Sequence, residues 1–340
     1  MPMPYKQQLP NIKIFVSRRI DVNSITVPNP IYIPVRCGAI FDPDKNSIFQ
    51  GDNTGENISH KRINFCEFTV QYWVWKNISA DYYGLCHYRR YLSFAAKKFK
   101  TNDHGVVPCA ILSPETMKCF GLLDTEVMKA EITRYDLIIP QPALVERMPL
   151  PHGKAKSVYH LWEAHSGIFF EKGTIDRVFS LIEELAPEYS TSAKEYFAGN
   201  LHRGYNCYVM QKGLFNRLCQ FQFPIMEVIE AEIDTTMYPR APGYVGEILF
   251  GIFLHHAINH ERWRVNQRQL VLFAETQALD NPFVLACWYL YHGMDCIIRA
   301  MAKPFFPLGS KRREMCKAIY GRLIKNCKSE RQVQNLGQNT

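Results

Sequence analysis

A histidine and two adjacent arginines, His87, Arg89 and Arg90, follow an apolar run in the stretch GLCHYRRYLSF, residues 84–94. Guanidinium groups are planar donors that suit a phosphate or a diphosphate. The apolar run predicts a buried strand, so the cations would stand at its carboxyl end, where open α/β sheets bind ligands. A solvated strand edge or a surface salt bridge has the same residue pattern, and these residues alone leave both interpretations open.

A second polar segment, GDNTGENIS at residues 51–59, precedes a predicted helix. Backbone amides at a helix N-terminus can hold an anion, and Asp52 or Asn57 could accept hydrogen bonds from a ribose or a base. A plain helix cap by Asn57 or Ser59 explains much of the same pattern. The segment lacks the glycine spacing of Rossmann and P-loop sites, so neither of these sites is predicted.

Glu247 lies in the apolar stretch PGYVGEILFGIFL, which predicts a short helix from about residue 244 to 256 with Glu247 in its first turn. A carboxylate there could act as a general base for a hydroxyl group, or could simply interact with the helix dipole. His256 and His260 are four residues apart, but no carboxylate or cysteine completes a zinc pattern nearby in the sequence. We expect them to be ordinary core or surface histidines.

Alternating strand and helix patterns surround these segments and predict an α/β fold. Short strands are predicted at NIKIFVS, IYIPV, YYGLCHY, YDLIIPQ and YNCYVMQ, with one final strand at WRVNQRQLVLF. Apolar positions at three- and four-residue steps predict one continuous helix over residues 60–78. Further helices are predicted over residues 157–165, 175–185 and 213–233.

Composition indicates a globular protein, since 47% of the 340 residues are hydrophobic and 21% are charged. The 11 cysteines are odd in number and form no CxxC pair, which favours reduced thiols in a cytoplasmic protein. Ten Lys or Arg and two Glu lie between residues 299 and 331, whereas the net charge of the whole chain is +8. This local excess indicates contact with an anionic surface, either membrane lipid or nucleic acid.

Several of these segments, taken in order, resemble the bacterial capsule and O-antigen glycosyltransferase domains first catalogued as a domain of unknown function. GDNTGENIS, NFCEFTVQYWVWKN and YYGLCHYRRY are similar to family patterns of roughly GDDTGDNIS, NxxxCELTxxYWxWKN and YIGLCHYRRYF. YDLIIP, YNCYVMQKGLFNRLCQFQFPIMEVIE and RAPGYVGEILFGIFL extend the resemblance over about residues 13–273.

The resemblance implies a GT-A-like nucleotide-sugar-binding fold, with a single mixed central sheet flanked by helices. It implies transfer of a sugar, often galactose in pyranose or furanose form, from a UDP-sugar to a growing capsular or O-antigen polysaccharide. By motif position it implies catalysis by Glu247 and His87 and contact with acceptor or sugar by Asn206 and Tyr244. The positions implied for donor binding are Asp52, Thr54, Gly55, Asn57, Arg89 and Arg90.

On this basis the leaving diphosphate is expected to be held by Arg89 and Arg90, with His87 contacting the donor or a metal. The sequence leaves open whether Mg²⁺ or Mn²⁺ takes part. Its DxD motif, Asp42–Asp44, comes too early for the usual metal-binding place. The chain also departs from the family pattern, above all at Ile248, where arginine is usual. This departure keeps open a glycan-binding protein that has lost its activity.

The expected organisation is a GT-A-like domain over residues 1–275, a basic helical extension over 276–328 and a disordered tail over 329–340. Residues 305–326 combine cations with large apolar residues, which predicts an interfacial helix on the inner face of the cell membrane. A solvated basic helix packed on the domain is the other interpretation. A nucleic-acid-binding protein is the competing functional class, but the sequence contains no recognised nucleic-acid module, and no nucleic-acid partner is expected.

Overall fold

The computed structural model describes residues 10–44, 47–150, 153–279, 282–302, 304–306, 310–312 and 315–316. Their centre is a ten-stranded sheet, and a separate two-stranded sheet joins β8 to β9. In chain order the strands are β1 (Ile12–Arg19), β2 (Tyr32–Cys37), β3 (Gln50–Gly51), β4 (Tyr82–His87), β5 (Arg90–Leu92), β6 (Val106–Ile111), β7 (Leu137–Pro140), β8 (Ala143–Leu144), β9 (Leu201–His202), β10 (Tyr208–Gln211), β11 (Val265–Arg268) and β12 (Leu270–Glu275).

The large sheet is mixed, in the order β11-β7-β10-β4-β1-β2-β3. β1 pairs in parallel with β2 and β4, whereas β10 is antiparallel to both β4 and β7. β12 pairs with β5 and β6, and β5 joins this group to the end of β4. The prediction of a single mixed central sheet flanked by helices is therefore confirmed.

The helices cover both faces of the sheet and bury two apolar clusters against it. Helices α2 and α5–α9 contribute to one cluster, while α3, α4 and the β5-β6-β12 group contribute to the other. The α-helices are α1 (Arg62–Phe65), α2 (Phe68–Asn77), α3 (Pro114–Cys119), α4 (Thr125–Ile132), α5 (Val158–Glu163), α6 (Thr174–Leu185), α7 (Ser190–Ala198), α8 (Lys212–Glu232), α9 (Ala241–Asn259) and α10 (Pro282–Ala302).

The prediction of one continuous helix over residues 60–78 is wrong. A 3-10 turn (Ser59–Lys61) leads into α1, and the chain then turns sharply at Cys66, whose φ of 52° lies in the left-handed region. A cysteine rarely adopts this conformation without support from its surroundings. The apolar spacing continues through the break, so it did not reveal the turn.

Helix α9 is longer than predicted and begins before the Pro-Gly pair. Pro242 is the second residue of the helix, where the absence of a backbone N–H costs nothing. Glu247 is therefore the seventh residue of α9, beyond the first turn in which it was predicted. Its chemistry depends on the groups around it rather than on the helix end.

The final predicted strand is in fact two strands, because the chain leaves the β7 edge after β11 and joins β5 and β6 as β12. Gln269 lies buried at this switch, and its side chain bonds the backbone N–H and carbonyl of Phe99 at 2.8 and 2.7 Å. Within the part of the chain that the structure covers, no helix has the length and apolar character needed to cross a bilayer. The predicted tail, 329–340, and most of the predicted interfacial helix, 305–326, lie outside the described residues.

Candidate active site

A cleft of about 520 Å³ lies at the carboxyl ends of β1, β2 and β4. These three strands run parallel, so their ends meet at one edge of the sheet, the usual place for a ligand in an α/β fold. Helix α1 and the residue preceding α9 complete the wall. The lining includes four arginines, a histidine and a glutamate: Arg19, Arg62, Arg89, Arg240, His87 and Glu67.

His87 is the last residue of β4 and lines the cleft, as predicted for this strand end. Burial holds the pKa of its imidazole well below the usual value, and the charges of Arg90 and Arg89 lower it further. The Arg89 backbone N–H donates to Nδ1 of His87 at 3.4 Å. The neutral ring therefore carries its proton on Nε2, which leaves one hydrogen-bond donor for a ligand.

The two adjacent arginines have different surroundings. Arg89 is exposed, lines the cleft and lies over the Tyr88 ring at 5.5 Å. Arg90 belongs to β5 and lies over the Tyr205 ring at 5.3 Å. Arg89 lies in the turn between β4 and β5, and only Arg89 of the pair lines the cleft, so the two guanidiniums do not form one fork. Arg89 therefore faces the cleft, whereas Arg90 contributes through its charge, which acts on His87.

Three cleft arginines were not predicted from the sequence. Arg19 ends β1 and forms an ion pair with Asp21, which also bonds Arg62 at 3.1 Å. Arg240 precedes α9, and its Nε lies 3.2 Å from the Cys66 sulfur. A strand-end position was the available signal for Arg19. Nothing in the sequence places Arg62 and Arg240 beside it, because chain segments far apart in sequence bring them together.

Glu247 is partly buried beside a second carboxylate, Glu67, and two arginines, Arg90 and Arg240. Burial and the negative charge of Glu67 raise the pKa of Glu247 to about 7, while Arg90 and Arg240 oppose the rise. Its carboxylate forms no hydrogen bond to any residue that the structure describes. A carboxylate with a pKa near neutrality can accept a proton from a hydroxyl group and release it again.

Asn206 is only 2% exposed, and neither its amide oxygen nor its amide nitrogen has a partner among the described residues. The antiparallel pairing of Tyr208 with Leu85 places Asn206 opposite His87, just beyond the end of the ladder. Asn206 and its neighbour Tyr205 have φ angles of 38° and 73°. Buried unpaired groups and left-handed backbone are both costly, and such features cluster at functional sites.

Arg203 is a further candidate that sequence reasoning missed. Its Nη1 is buried without a partner in the described part of the chain, and burial lowers the pKa of the guanidinium. The Tyr196 hydroxyl accepts from the Arg203 backbone N–H at 3.2 Å and so fixes the start of this loop. Arg203 and Asn206 thus supply unsatisfied polar groups from one short segment before β10.

Asp52 does not face the cleft, contrary to its predicted role in donor binding. It is 0% exposed, and its two oxygens accept hydrogen bonds from Gly38 N, Ala39 N, Ser59 Oγ and Thr69 Oγ1. All four distances lie between 2.5 and 2.9 Å. Asp52 therefore joins the end of β2 to both sides of the Cys66 break and supports the cleft wall from behind.

The rest of the predicted donor motif is also folded into its own loop. Thr54 accepts a hydrogen bond from Trp73 Nε1 at 3.0 Å, and Asn57 makes local bonds to Gly55 O and Ser59 N at 2.9 and 3.2 Å. Gly55 has a φ of 56°, and a Cβ there would lie 2.0 Å from Asn77 Oδ1. Thr54, Gly55 and Asn57 do not line the cleft, so the capping interpretation fits this segment better than the ligand interpretation.

Tyr244 is on α9 and does not line the cleft; it is partly buried, with its ring stacked on Phe169 at 4.2 Å. The Arg240 guanidinium lies 5.4 Å from the centre of the Tyr244 ring. Ile248, which departs from the family pattern, is fully buried in the core of the same helix. It does not contribute to the electrostatics of the cleft.

The DxD motif does not provide a metal site, because Asp42 is buried and its carboxylate pairs with Arg36 at 2.6 Å. Glu67 is a cleft-lining carboxylate, at the N-terminus of α2. One carboxylate fits a Mg²⁺ or Mn²⁺ ion whose other ligands are substrate phosphates and water. The arginine-rich wall also suits a diphosphate directly.

A solved structure shares this architecture, although no curated protein matches the chain in sequence. The apo structure of WbbM, a bifunctional glycosyltransferase, matches with a TM-score of 0.67 at 27% sequence identity. The match covers 80% of this chain and 47% of that one, so the chain spans about half the length of that protein. The model of a domain of unknown function, DUF4422, matches residues 13–260, and the chain therefore belongs to the DUF4422 family.

Proposed function

We propose that the chain is a glycosyltransferase that moves a sugar, galactose in pyranose or furanose form, from a UDP-sugar to a growing capsular or O-antigen polysaccharide. The observation that carries the proposal is the placement of four arginines at the carboxyl ends of parallel strands. Glu247, whose pKa is raised to about 7, lies close enough to two of the cleft residues, Glu67 and Arg240, to feel their charges. The likeness to a bifunctional glycosyltransferase supports the same reaction class.

The donor would lie with its diphosphate among the cleft arginines. Arg89 is exposed there, and Arg19, Arg62 and Arg240 are held in place by Asp21 and Cys66. Negative charge on the diphosphate grows as its bond to the sugar breaks. Arginine side chains that are already held in position therefore stabilise the transition state more than they stabilise the bound UDP-sugar. The Nε2–H of His87 would add a hydrogen bond to a donor oxygen.

The acceptor hydroxyl would lie beside Glu247. Its ionised carboxylate takes the hydroxyl proton while the oxygen bonds to the anomeric carbon, and the bond from that carbon to the diphosphate breaks. The unpaired amide of Asn206 and the Nη1 of Arg203 would bind hydroxyl groups of the sugar or the acceptor. Tyr244, whose ring lies against the cleft residue Arg240, would contact the acceptor.

A divalent cation, Mg²⁺ or Mn²⁺, would bind Glu67 together with the diphosphate. When bound, it would supply additional positive charge at the leaving group. Titration of UDP with and without EDTA, in the parent protein and in Glu67→Gln, tests this assignment. A cation effect in the parent that disappears in Glu67→Gln supports it, whereas an identical effect in both proteins contradicts it.

Calorimetric titration with a panel of UDP-sugars tests the donor site, followed by turnover with a polysaccharide acceptor. Arg89→Ala is expected to weaken UDP binding at least about tenfold, since a charge-assisted bond to phosphate is lost. Arg147→Ala is the matched control, because Arg147 is exposed and does not line the cleft. Equal affinity of Arg89→Ala and the control would contradict the donor site.

Two competing functions give different results in the same assays. A glycan-binding protein without activity would bind saccharides but release no UDP from any donor. A nucleic-acid-binding protein would show salt-dependent affinity for DNA or RNA through the basic region. UDP release that requires Glu247 would distinguish the transferase from both.

We propose further that the chain binds the inner face of the cell membrane as a peripheral protein, where a lipid-linked glycan acceptor would lie. Helix α10 supports this, because several of the α10 side chains that the structure describes are large, apolar and exposed, and they recur at helical spacing: Phe283, Leu290, Met294, Ile297 and Met301. The segment with excess positive charge, residues 299–331, begins in the last turn of α10. An exposed apolar face next to cations is typical of an interfacial helix on anionic lipid.

Flotation with vesicles of phosphatidylglycerol and phosphatidylcholine tests membrane binding. The double variant Leu290→Ser, Ile297→Ser is expected to remain in the soluble fraction while the parent floats, because each substitution removes apolar area that would be buried in lipid. Leu185→Ser is the control, since Leu185 is exposed on α6, outside the extension. Failure of the parent protein to float would contradict membrane binding.

A further inference from the structure

A group of metal-ligating side chains lies away from the cleft, at the C-terminal end of α9. His255 is in the last turn of α9, His260 directly follows it, and Glu195 comes from the neighbouring helix α7. One ligand atom of each lies within 4.8 Å of the other two. Sequence spacing did not suggest this group, because Glu195 is 60 residues before His255.

The distances within the group are close to those of a coordination sphere. Glu195 Oε2 lies 3.1 Å from His255 Nε2 and 2.6 Å from His260 Nε2. Zinc bonds of about 2.0–2.1 Å in a tetrahedron place neighbouring ligand atoms about 3.3 Å apart. The side chains of Glu195 and His260 are exposed, so small rotations open the shorter distance to this value.

The ligand types favour a transition metal over Mg²⁺ or Ca²⁺. Imidazole nitrogens suit Zn²⁺, Ni²⁺, Co²⁺ and Cu²⁺, and two histidines with one glutamate form a known zinc ligand set. A water molecule would complete four-coordination.

A neighbouring side chain can orient one ligand. The Asn259 amide nitrogen lies 3.1 Å from both ring nitrogens of His255, Nδ1 and Nε2. With zinc on Nε2, a rotated Asn259 amide could present Oδ1 as an acceptor for Nδ1–H, an arrangement that is common around metal-bound histidines. His256, by contrast, is already engaged, since its Nδ1 lies 2.9 Å from Ser192 Oγ.

We propose that Glu195, His255 and His260 form a zinc site with three protein ligands that joins the C-terminal end of α9 to α7. Glu247 lies on the same helix eight residues before His255, about 12 Å along the axis at 1.5 Å per residue. The metal is therefore outside the catalytic centre and braces the helix that carries Glu247. The site needs no donor sugar, so its test is independent of the proposed transferase activity.

Zinc titration of the untagged full-length protein, stripped with EDTA and desalted, tests the site. We expect one saturable Zn²⁺ equivalent, a higher melting temperature on binding, and at least about tenfold weaker affinity in His255→Ala, His260→Ala and Glu195→Gln. His256→Gln is the matched control and should bind as the parent does. Circular dichroism of each variant confirms that it is folded.

Cobalt provides a second measurement that does not depend on the variants. Co²⁺ bound to the parent protein should give the intense visible absorption of a four-coordinate site, and added Zn²⁺ should remove it. Absence of saturable zinc binding, or equal affinity in the three ligand variants and the parent, would overturn the proposal. Equal loss in His256→Gln would overturn the assigned ligand set.

Discussion

At the scale of single residues, burial moves two groups, Glu247 and His87, toward their neutral forms. It raises the pKa of Glu247 to about 7 and lowers the pKa of His87 well below its usual value. His87 is therefore a neutral hydrogen-bond donor throughout the neutral range, while Glu247 changes its protonation state within it. The pH dependence of the reaction should report Glu247 rather than His87.

Glu247→Gln is expected to reduce kcat by about 10²–10⁴, the usual contribution of a general base. In the parent protein, activity should rise with pH through about 7, because the ionised carboxylate is the active form. UDP release from the preferred donor, measured between pH 5.5 and 9, checks both expectations. Full activity of Glu247→Gln would exclude the base assignment.

Glu247→Gln should increase the stability of the protein, although it lowers the activity. The folded-state pKa of Glu247 lies above its usual value of 4.5, so its contribution to the free energy of unfolding is present below pH 4.5 and is lost as pH rises through 7. Glu247→Gln should therefore gain roughly 1–3 kcal/mol relative to the parent between pH 4.5 and pH 8. Urea unfolding at both pH values measures this gain. Glu227→Gln, on the exposed face of α8, should show no such gain.

Residue types at the ends of predicted strands and in apolar helices drew attention to His87, Arg89 and Glu247. The structure places His87 and Arg89 on the cleft wall and Glu247 near the cleft residues Glu67 and Arg240, and the roles of all three stay predictions. Residue types did not show whether Asp52 binds a ligand or caps a buried turn, because buried caps and anion sites use the same glycine, aspartate and asparagine residues. Arg203 carried no sequence signal, since its importance comes from burial without a partner. Contacts between distant segments therefore decide the role of each residue.

At the scale of elements, Asp52 holds together the turn that the sequence pattern predicted as continuous helix. Its bonds to Ser59 Oγ and Thr69 Oγ1 lie on the two sides of Cys66. Periodicity identified the helical segments but not the break, because the break is stabilised by a carboxylate from outside the helix. The position of Glu67 at the start of α2 depends on this turn.

Asp52→Ala is expected to lower the free energy of unfolding by about 3–5 kcal/mol, because four buried donors lose their acceptor. Urea unfolding measures the loss, and Thr54→Ala, in the exposed part of the same loop, should cost about 1 kcal/mol or less. Asp52→Asn distinguishes a structural role of Asp52 from a role in binding the UDP-sugar donor. A variant that unfolds like the parent but binds UDP more weakly would restore the original ligand interpretation.

The close packing of α9 on the Arg203 loop gives another test. A Cβ on Gly251 would lie 2.3 Å from the Tyr196 hydroxyl oxygen and 2.8 Å from the Arg203 carbonyl oxygen. Gly251→Ala should therefore cost about 1–3 kcal/mol and lower kcat by moving that loop. Gly213→Ala in α8 is the matched control, since its Cβ would meet nothing within 4 Å, and it should gain up to about 1 kcal/mol. Thermal unfolding and turnover of both variants distinguish these outcomes.

At the scale of the whole molecule, the α/β body and the C-terminal extension differ in how they bury apolar residues. The body encloses two large apolar clusters, whereas α10 leaves much of its apolar surface exposed. The division near residue 275 stays a prediction from the sequence. The structure adds that Thr276 O accepts from Ile25 N and that Gln277 bridges Ser24, so the body continues slightly beyond β12.

A chain ending after residue 279 should therefore fold like the full-length protein and fail to bind anionic vesicles. Among the described residues, one contact of α10 with the body is the hydrogen bond from Trp288 Nε1 to Ala110 O at 3.0 Å, whose loss should itself lower the free energy of unfolding by about 1 kcal/mol. Turnover with a soluble acceptor should be kept, because the cleft is formed by residues of the body. Unfolding, flotation and UDP release, measured on the same preparation, separate these effects. Loss of folding on truncation would show that α10 is part of the core. In that case the apolar face of α10 would pack on the body, and membrane binding would have to displace it.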